Sequence, residues 1–206
     1  MHATIATTPG RTRRVLRWRV VDIVVAAVLA VVAGLVFWVW DQASNPVGAP
    51  ITAALPGLQG IINGPWLFAG VLGGLVVRKP GAALFTELVA ATVSALIGTQ
   101  WGPLTLLSGL VQGAGAELVF LIVLYARWNW VVALIAGAGA GVGESVLDLL
   151  VWYPGAKASF AVVYAAGTIL SGAVIGGLGS WAIVKGLAKT GALSRFGAGR
   201  EVTERV

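Results

Sequence analysis

The sequence predicts an all-α integral membrane protein, a bundle of six transmembrane helices with both termini cytoplasmic. Three observations carry that expectation. Of the 206 residues, 58% are hydrophobic and only 11% charged, and the mean hydropathy of +0.90 lies far outside the range of soluble domains. Apolar runs of roughly 20 residues, enough helix to cross a hydrocarbon core of about 30 Å, recur along nearly the whole chain, without the short alternating segments of a barrel. The basic residues fall on one side of these runs.

Taken in order, the spans are expected near residues 20–40, 57–77, 81–98, 103–126, 130–152 and 159–186, each bounded by charge, proline or tryptophan. Between the first two, DQASNPVGAP (41–50) reads as a polar, turn-rich break, and the following ITAAL as a short interfacial helix. The third span is short, which predicts an upright helix or an interfacial loop at Gln100 and Trp101.

With the N-terminus inside, the cytoplasmic face carries Arg11, Arg13, Arg14, Arg17, Arg19, Arg78, Lys79, Arg127, Lys185, Lys189, Arg195, Arg200 and Arg205, and the outer face only Lys157. This asymmetry sets the orientation. It divides the chain into a basic cytoplasmic tail (1–16), a membrane domain (17–190) and a mobile cytoplasmic tail (191–206). The net charge of +6 is then accounted for by topology and the lipid bilayer, and no nucleic acid partner is expected.

Several chemistries are excluded. The chain has no cysteine, and its one histidine is His2, so disulfide chemistry, thiolate metal sites, Ser-His catalysis and HExxH metal sites have no residues to work with. There is no Walker A lysine motif, and GAGAG (137–141) lacks the spacing of a nucleotide loop and a strand before it. No enzyme, metal or cofactor is expected.

The acids are more informative. Glu87, Glu117, Glu144 and Asp148 lie within apolar spans, with no lysine or arginine at comparable depth. A carboxylate at the bilayer centre costs at least about 2.5–3.5 kcal/mol. Such groups are protonated, face a hydrated cavity or await a cation. The four-residue spacing puts Glu144 and Asp148 on one helix face, roughly 12 and 6 Å below the outer end of their span. By the same count Gln112 lies at the depth of Glu144, and Asn63 and Trp66 fall in the outer half of the second span. Trp101 and Tyr164 cluster toward the same side.

Together these predict an outward-opening pocket with a polar floor and aromatic walls. Glu117 is a candidate to close the floor, and Glu87 is either a ligand group or an interhelical hydrogen-bond residue. Most tryptophans fit an aromatic belt. Trp66, following Gly64 and Pro65 inside a span, is the one placed to stack on a cation.

Small residues at four-residue spacing let helices approach closely. Ala133, Gly137, Gly141 and Ser145, and Gly172, Gly176 and Ser180, are expected to pack internally. Ala26, Ala30 and Gly34, on a terminal helix, either do the same or meet a partner subunit. No inverted repeat is visible, which disfavours a self-sufficient carrier. A substrate-binding membrane subunit is the first reading. The alternatives are an autonomous proton-coupled carrier of an organic cation working through Glu117 and Glu144, and a structural subunit whose acids only bond neighbouring helices.

The stretches RWRVVDIVVAAVLAVVAGLVF, LPGLQGIINGPWLFAG, RKPGAALFTEL and GLVQGAGAEL, with the acids of the fifth span, resemble the YkoE family of S components of energy-coupling factor (ECF) transporters. The similarity covers about residues 17–186. It implies the six-helix S-component bundle in the bacterial cytoplasmic membrane. It also implies capture of thiamine or its hydroxymethylpyrimidine precursor from outside, with a transmembrane coupling subunit and cytoplasmic ATPases as partners. The Ala26/Ala30 stripe resembles the family's contact with the coupling subunit. Ser94, in VSALIG, departs from the resemblance, standing where relatives are associated with a carboxylate.

Overall fold

The computed structural model describes residues 16–203, and all regular structure among them is helical. His2, Arg11, Arg13, Arg14, Glu204 and Arg205 lie outside the described residues. α1 (Val20–Ala54) is followed by a 3-10 segment (Leu58–Trp66), α2 (Phe68–Val77), α3 (Ala82–Ile97), α4 (Leu104–Ile122) and α5 (Trp130–Val151). α6 (Ala158–Ser171) continues through a π segment (Gly172–Gly179) into α7 (Ser180–Lys189), and α8 (Gly197–Thr203) closes the described chain. Five segments, 20–54, 58–77, 104–122, 130–151 and 158–189, are long and apolar enough to cross a membrane, and α3 is a shorter apolar helix. The chain is a multi-pass membrane protein.

α1 is the main departure from expectation. Instead of breaking at Asp41, it runs on through Pro46 and Pro50 for 35 residues. Its inward stripe of Ala26, Ala30, Ala33, Phe37, Asp41, Ser44 and Gly48 keeps helical spacing straight through the polar stretch. Gln100, in the α3–α4 connection, clamps that stretch from outside the helix. Its Nε2 donates to the Asp41 carbonyl (3.0 Å) and Ser44 Oγ (3.1 Å), while its Oε1 accepts from Asn45 Nδ2 (2.7 Å). These bonds hold a segment from which each proline has removed a backbone donor.

α2 is buried along its length apart from Phe68 and forms the centre of the bundle. Around it the helices cross at glycines. A Cβ on Gly115 of α4 would stand 2.2 Å from the Gly139 carbonyl oxygen of α5, and one on Gly137 would stand 2.1 Å from that of Gly172. The GAGAG run is therefore a two-sided packing surface, with Gly139 toward α4 and Gly137 toward the π segment.

The Ala26, Ala30 and Gly34 stripe corrects an expectation. Ala26 and Ala30 are buried within the chain, and Gly34 meets Val93 and the Ala90 carbonyl of α3. α3 already occupies the close approach that small residues permit, so the stripe is not available to a partner. The outward face of α1 is instead a run of large apolar side chains, among them Val24, Val28 and Val32.

At the end where α1 begins, Asp22 is 0% exposed and pairs with Lys79 Nζ (2.9 Å) and Arg19 (2.7 Å). Lys79 also donates to the Arg17 carbonyl, and Trp18 Nε1 donates to the Pro80 carbonyl (2.9 Å). Removing one partner of such a buried pair leaves an uncompensated charge and costs about 3–5 kcal/mol. The expected mobile tail is also corrected in its described part. Leu193, Phe196 and Ala198 are buried in the main apolar cluster, and the Arg19 guanidinium lies 5.9 Å from the centre of the Phe196 ring. Apolar burial, absent from a mobile tail, anchors this one.

Candidate ligand-binding site

At the opposite end, where α1, α3 and α5 finish and α4 and α6 begin, a cavity of about 230 Å³ opens between the helices. It connects to an outer cavity of about 720 Å³ beside the second half of α1, the two sharing Asn63, Trp66, Trp101, Tyr153 and Tyr164.

Each wall has a simple origin. On α4, Thr105, Ser108 and Gln112 share one face at helical spacing and line the inner cavity. α5 supplies Glu144 and Asp148, one turn apart. Asp148 Oδ2 accepts from Tyr164 OH (2.6 Å) and Asn63 Nδ2 (3.4 Å). The same Asn63 amide also donates to the Tyr164 oxygen (2.9 Å) and Thr168 Oγ1 (3.2 Å), tying the 3-10 segment to α6. Glu144 is 9% exposed, and its Oε2 has no hydrogen-bond partner among the described residues, as is also true of Thr105 Oγ1. A buried unsatisfied polar atom is costly, and here it lies in a cavity wall.

The aromatic wall is a relay of edge-to-face rings. Trp40 to Trp66, Trp66 to Trp101 and Trp101 to Trp152 have centroid separations of 6.3, 6.2 and 5.5 Å. Trp66 is fixed by its indole nitrogen, which donates to Asp41 Oδ1 (2.9 Å), and Asp41 Oδ2 accepts from Ser94 Oγ (3.2 Å).

Of the residues expected from sequence to bind a ligand, Asn63, Trp66, Trp101, Gln112, Glu144, Asp148 and Tyr164 line this one cavity. Glu117 and Glu87 do not. Glu117 sits five residues beyond Gln112, which at 3.6 residues per turn turns it about 140° away. Its carboxylate caps the start of α3, accepting from the backbone N–H of Gly81 (2.7 Å) and Ala83 (2.9 Å) and from Tyr125 OH (2.6 Å). Glu117 therefore does not form the pocket floor. Glu87 shares the face of Ala91 and Ser94 but lies about 10 Å below Ser94, beneath the floor. There its Oε2 accepts from Gly70 N–H (2.6 Å) in the first turn of α2.

Asp41, Ser94, Thr105 and Ser108 line the cavity without having been candidates. The signal for Asp41 is the seven-residue interval from Gly34 and the four-residue interval from Phe37, which place it on the buried stripe. The two cavities together present three carboxylates, and no lysine or arginine lines either. An organic cation with flat rings matches that chemistry, since aromatic faces and carboxylates both favour positive charge.

Comparison with known proteins agrees with the fold. Residues 21–143 match the family described as ABC-type cobalt transport system, permease component. A protein of Bacillus subtilis (strain 168) named as an HMP/thiamine permease protein, YkoE, is 32% identical over 189 residues, covering 91% of this chain and 94% of that protein. A solved structure described as the crystal structure of an S-component of ECF transporter superposes with a TM-score of 0.84 at 31% identity, covering 92% of this chain and 95% of that one. A helical membrane bundle with an enclosed pocket at one end, matched over nearly its whole length, places this chain in the YkoE family of ECF transporter S components, substrate-binding transport subunits rather than enzymes.

Proposed function

We propose that the chain captures thiamine, or its hydroxymethylpyrimidine precursor, in the carboxylate-lined cavity and delivers it for ATP-driven uptake. The observation that carries this reading is the cavity itself, with three carboxylates, a tryptophan wall and no basic residue. Thiamine joins a permanently charged thiazolium ring to an aminopyrimidine. Its charge suits the acids, its rings suit Trp66 and Trp101, and an amino N–H suits the unpartnered Glu144 Oε2.

On this reading the bundle crosses the bacterial cytoplasmic membrane six times, α3 being the short crossing. Arg17, Arg19, Arg78, Lys79, Arg127, Lys185, Lys189 and the C-terminal segment face the cytoplasm, and the cavity with Lys157 faces outward, as the distribution of basic residues favours. The chain has no ATPase motif, so a transmembrane coupling subunit and cytoplasmic ATPases supply the energy.

Binding to the detergent-purified chain, followed by tryptophan quenching, tests the first half. The expected result is micromolar or tighter affinity for thiamine, weakened at least about tenfold by Glu144→Gln. A folded wild-type chain that binds neither thiamine nor the pyrimidine would overturn the reading. Uptake into vesicles tests the second half, and is expected only when the coupling subunit, the ATPases and ATP are present. Uptake by the chain alone on a proton gradient would contradict it.

A further inference from the structure

We propose that Asp41 is a specificity-determining residue of the cavity, forming a second negative wall opposite Glu144 and Asp148, so that a bound organic cation bridges α1 to α5. The proposal rests on the reading of the cavity as a cation site. It concerns a residue at the point where the first span was expected to end.

Four observations carry it. No Cα atoms of α1 and α5 come within 8 Å of each other among the described residues, yet both helices lend carboxylates to the same cavity. Asp41 is 2% exposed, and among the described residues its two oxygens accept from neutral groups, the Trp66 indole and the Ser94 hydroxyl. No protein cation lines the cavity to answer its charge. Trp66, which it holds, lines both cavities, so Asp41 fixes a side chain that stands between them.

Two consequences follow. Positive charge entering the inner cavity meets carboxylates from two separate helices, and binding braces them together. A neutral ring of similar shape gains the aromatic contact and the donor site at Glu144, but gains nothing from Asp41. Asp41 thus separates ligands by charge, while its bond to Trp66 sets the angle of the wall.

The two tasks come apart in two variants. Asp41→Asn keeps a carbonyl oxygen for the Trp66 indole and removes the charge, whereas Asp41→Ala removes both. The test uses the full chain in detergent at mildly alkaline pH, with calorimetric titration of thiamine as the cation and of hydroxymethylpyrimidine as the neutral ring. Asp41→Asn is expected to weaken thiamine at least about tenfold and the pyrimidine by less than about threefold. Its tryptophan emission without ligand is expected to match wild type, and that of Asp41→Ala to shift. The thermal stabilisation that thiamine confers on wild type is expected to shrink in Asp41→Asn.

Thiamine affinity within about twofold of wild type in Asp41→Asn, or equal losses for both ligands, would overturn the proposal. A folded wild type that binds neither ligand fails the cation-capture reading itself and takes this proposal with it. Tight wild-type binding that Asp41→Asn leaves unchanged fails only the proposal.

Discussion

Glu117 and Glu144 are the same residue type in similarly apolar helices, and their neighbours give them different work. Glu117 meets the free backbone donors at the start of α3 and the Tyr125 hydroxyl, so its charge is consumed in holding two helices together. Glu144 keeps an oxygen without a partner in a cavity wall. Glu117→Gln is accordingly expected to destabilise the chain by about 1–3 kcal/mol while leaving thiamine affinity of the folded protein unchanged, read by thermal melts beside titrations. Tyr164→Phe removes the short bond to Asp148 and leaves only the longer one from Asn63. It is expected to weaken thiamine severalfold and to lower the melting temperature, because Asn63 loses an acceptor as well; unchanged affinity of the folded variant would make that bond irrelevant to binding.

The acids of α5 were legible in the sequence because apolar surroundings without a basic partner mark a carboxylate whatever its orientation. Depth along the helix was legible too. What was lost was azimuth for Glu117 and, for Glu87, the turn that separates it from the cavity-lining Ala91.

At the scale of elements, helices end where packing ends rather than where composition changes. The proline-containing polar stretch 41–50 has the composition of a break, but its buried stripe and the Gln100 clamp keep it helical. That clamp belongs to tertiary structure, which is why α1 was read 14 residues short and Asp41 was missed. Gln100→Ala is expected to raise hydrogen exchange in 41–54 and to lower thiamine affinity through Asp41, and unaltered exchange there would remove the clamp from the account.

The small-residue stripes of α5 and the π segment pack internally as expected, whereas for the α1 stripe the sequence leaves internal packing and a partner contact open, because a terminal helix offers no cue to which neighbour covers it. Gly139→Val places a branched side chain where even a Cβ is crowded by the Gly115 carbonyl oxygen at 2.6 Å. Overpacking of this kind costs about 1–3 kcal/mol or more. Because α4 carries Gln112 and α5 carries Glu144, the same substitution is expected to lower affinity as well as melting temperature.

For the whole molecule, the two ends of the bundle have opposite electrostatic character. Basic side chains and the Asp22 ion pairs lie at one end, and carboxylates around a cavity at the other. On the proposed topology this polarity orients the chain in the bilayer, with the binding site on the outer side. The absence of native cysteine makes the orientation simple to test. In intact cells Lys157→Cys is expected to react with a membrane-impermeant thiol reagent and Lys185→Cys only after lysis; the reverse pattern would invert the topology.

The most direct measurement is a structure of the full chain with thiamine bound. The ligand is expected inside the inner cavity, with a ring against Trp66 or Trp101, an N–H donor at Glu144 Oε2, and positive charge between Asp41 and the α5 acids. Thiamine seated elsewhere, for example in the surface groove beside Lys157 and Phe160, with the acidic cavity unchanged, would contradict it.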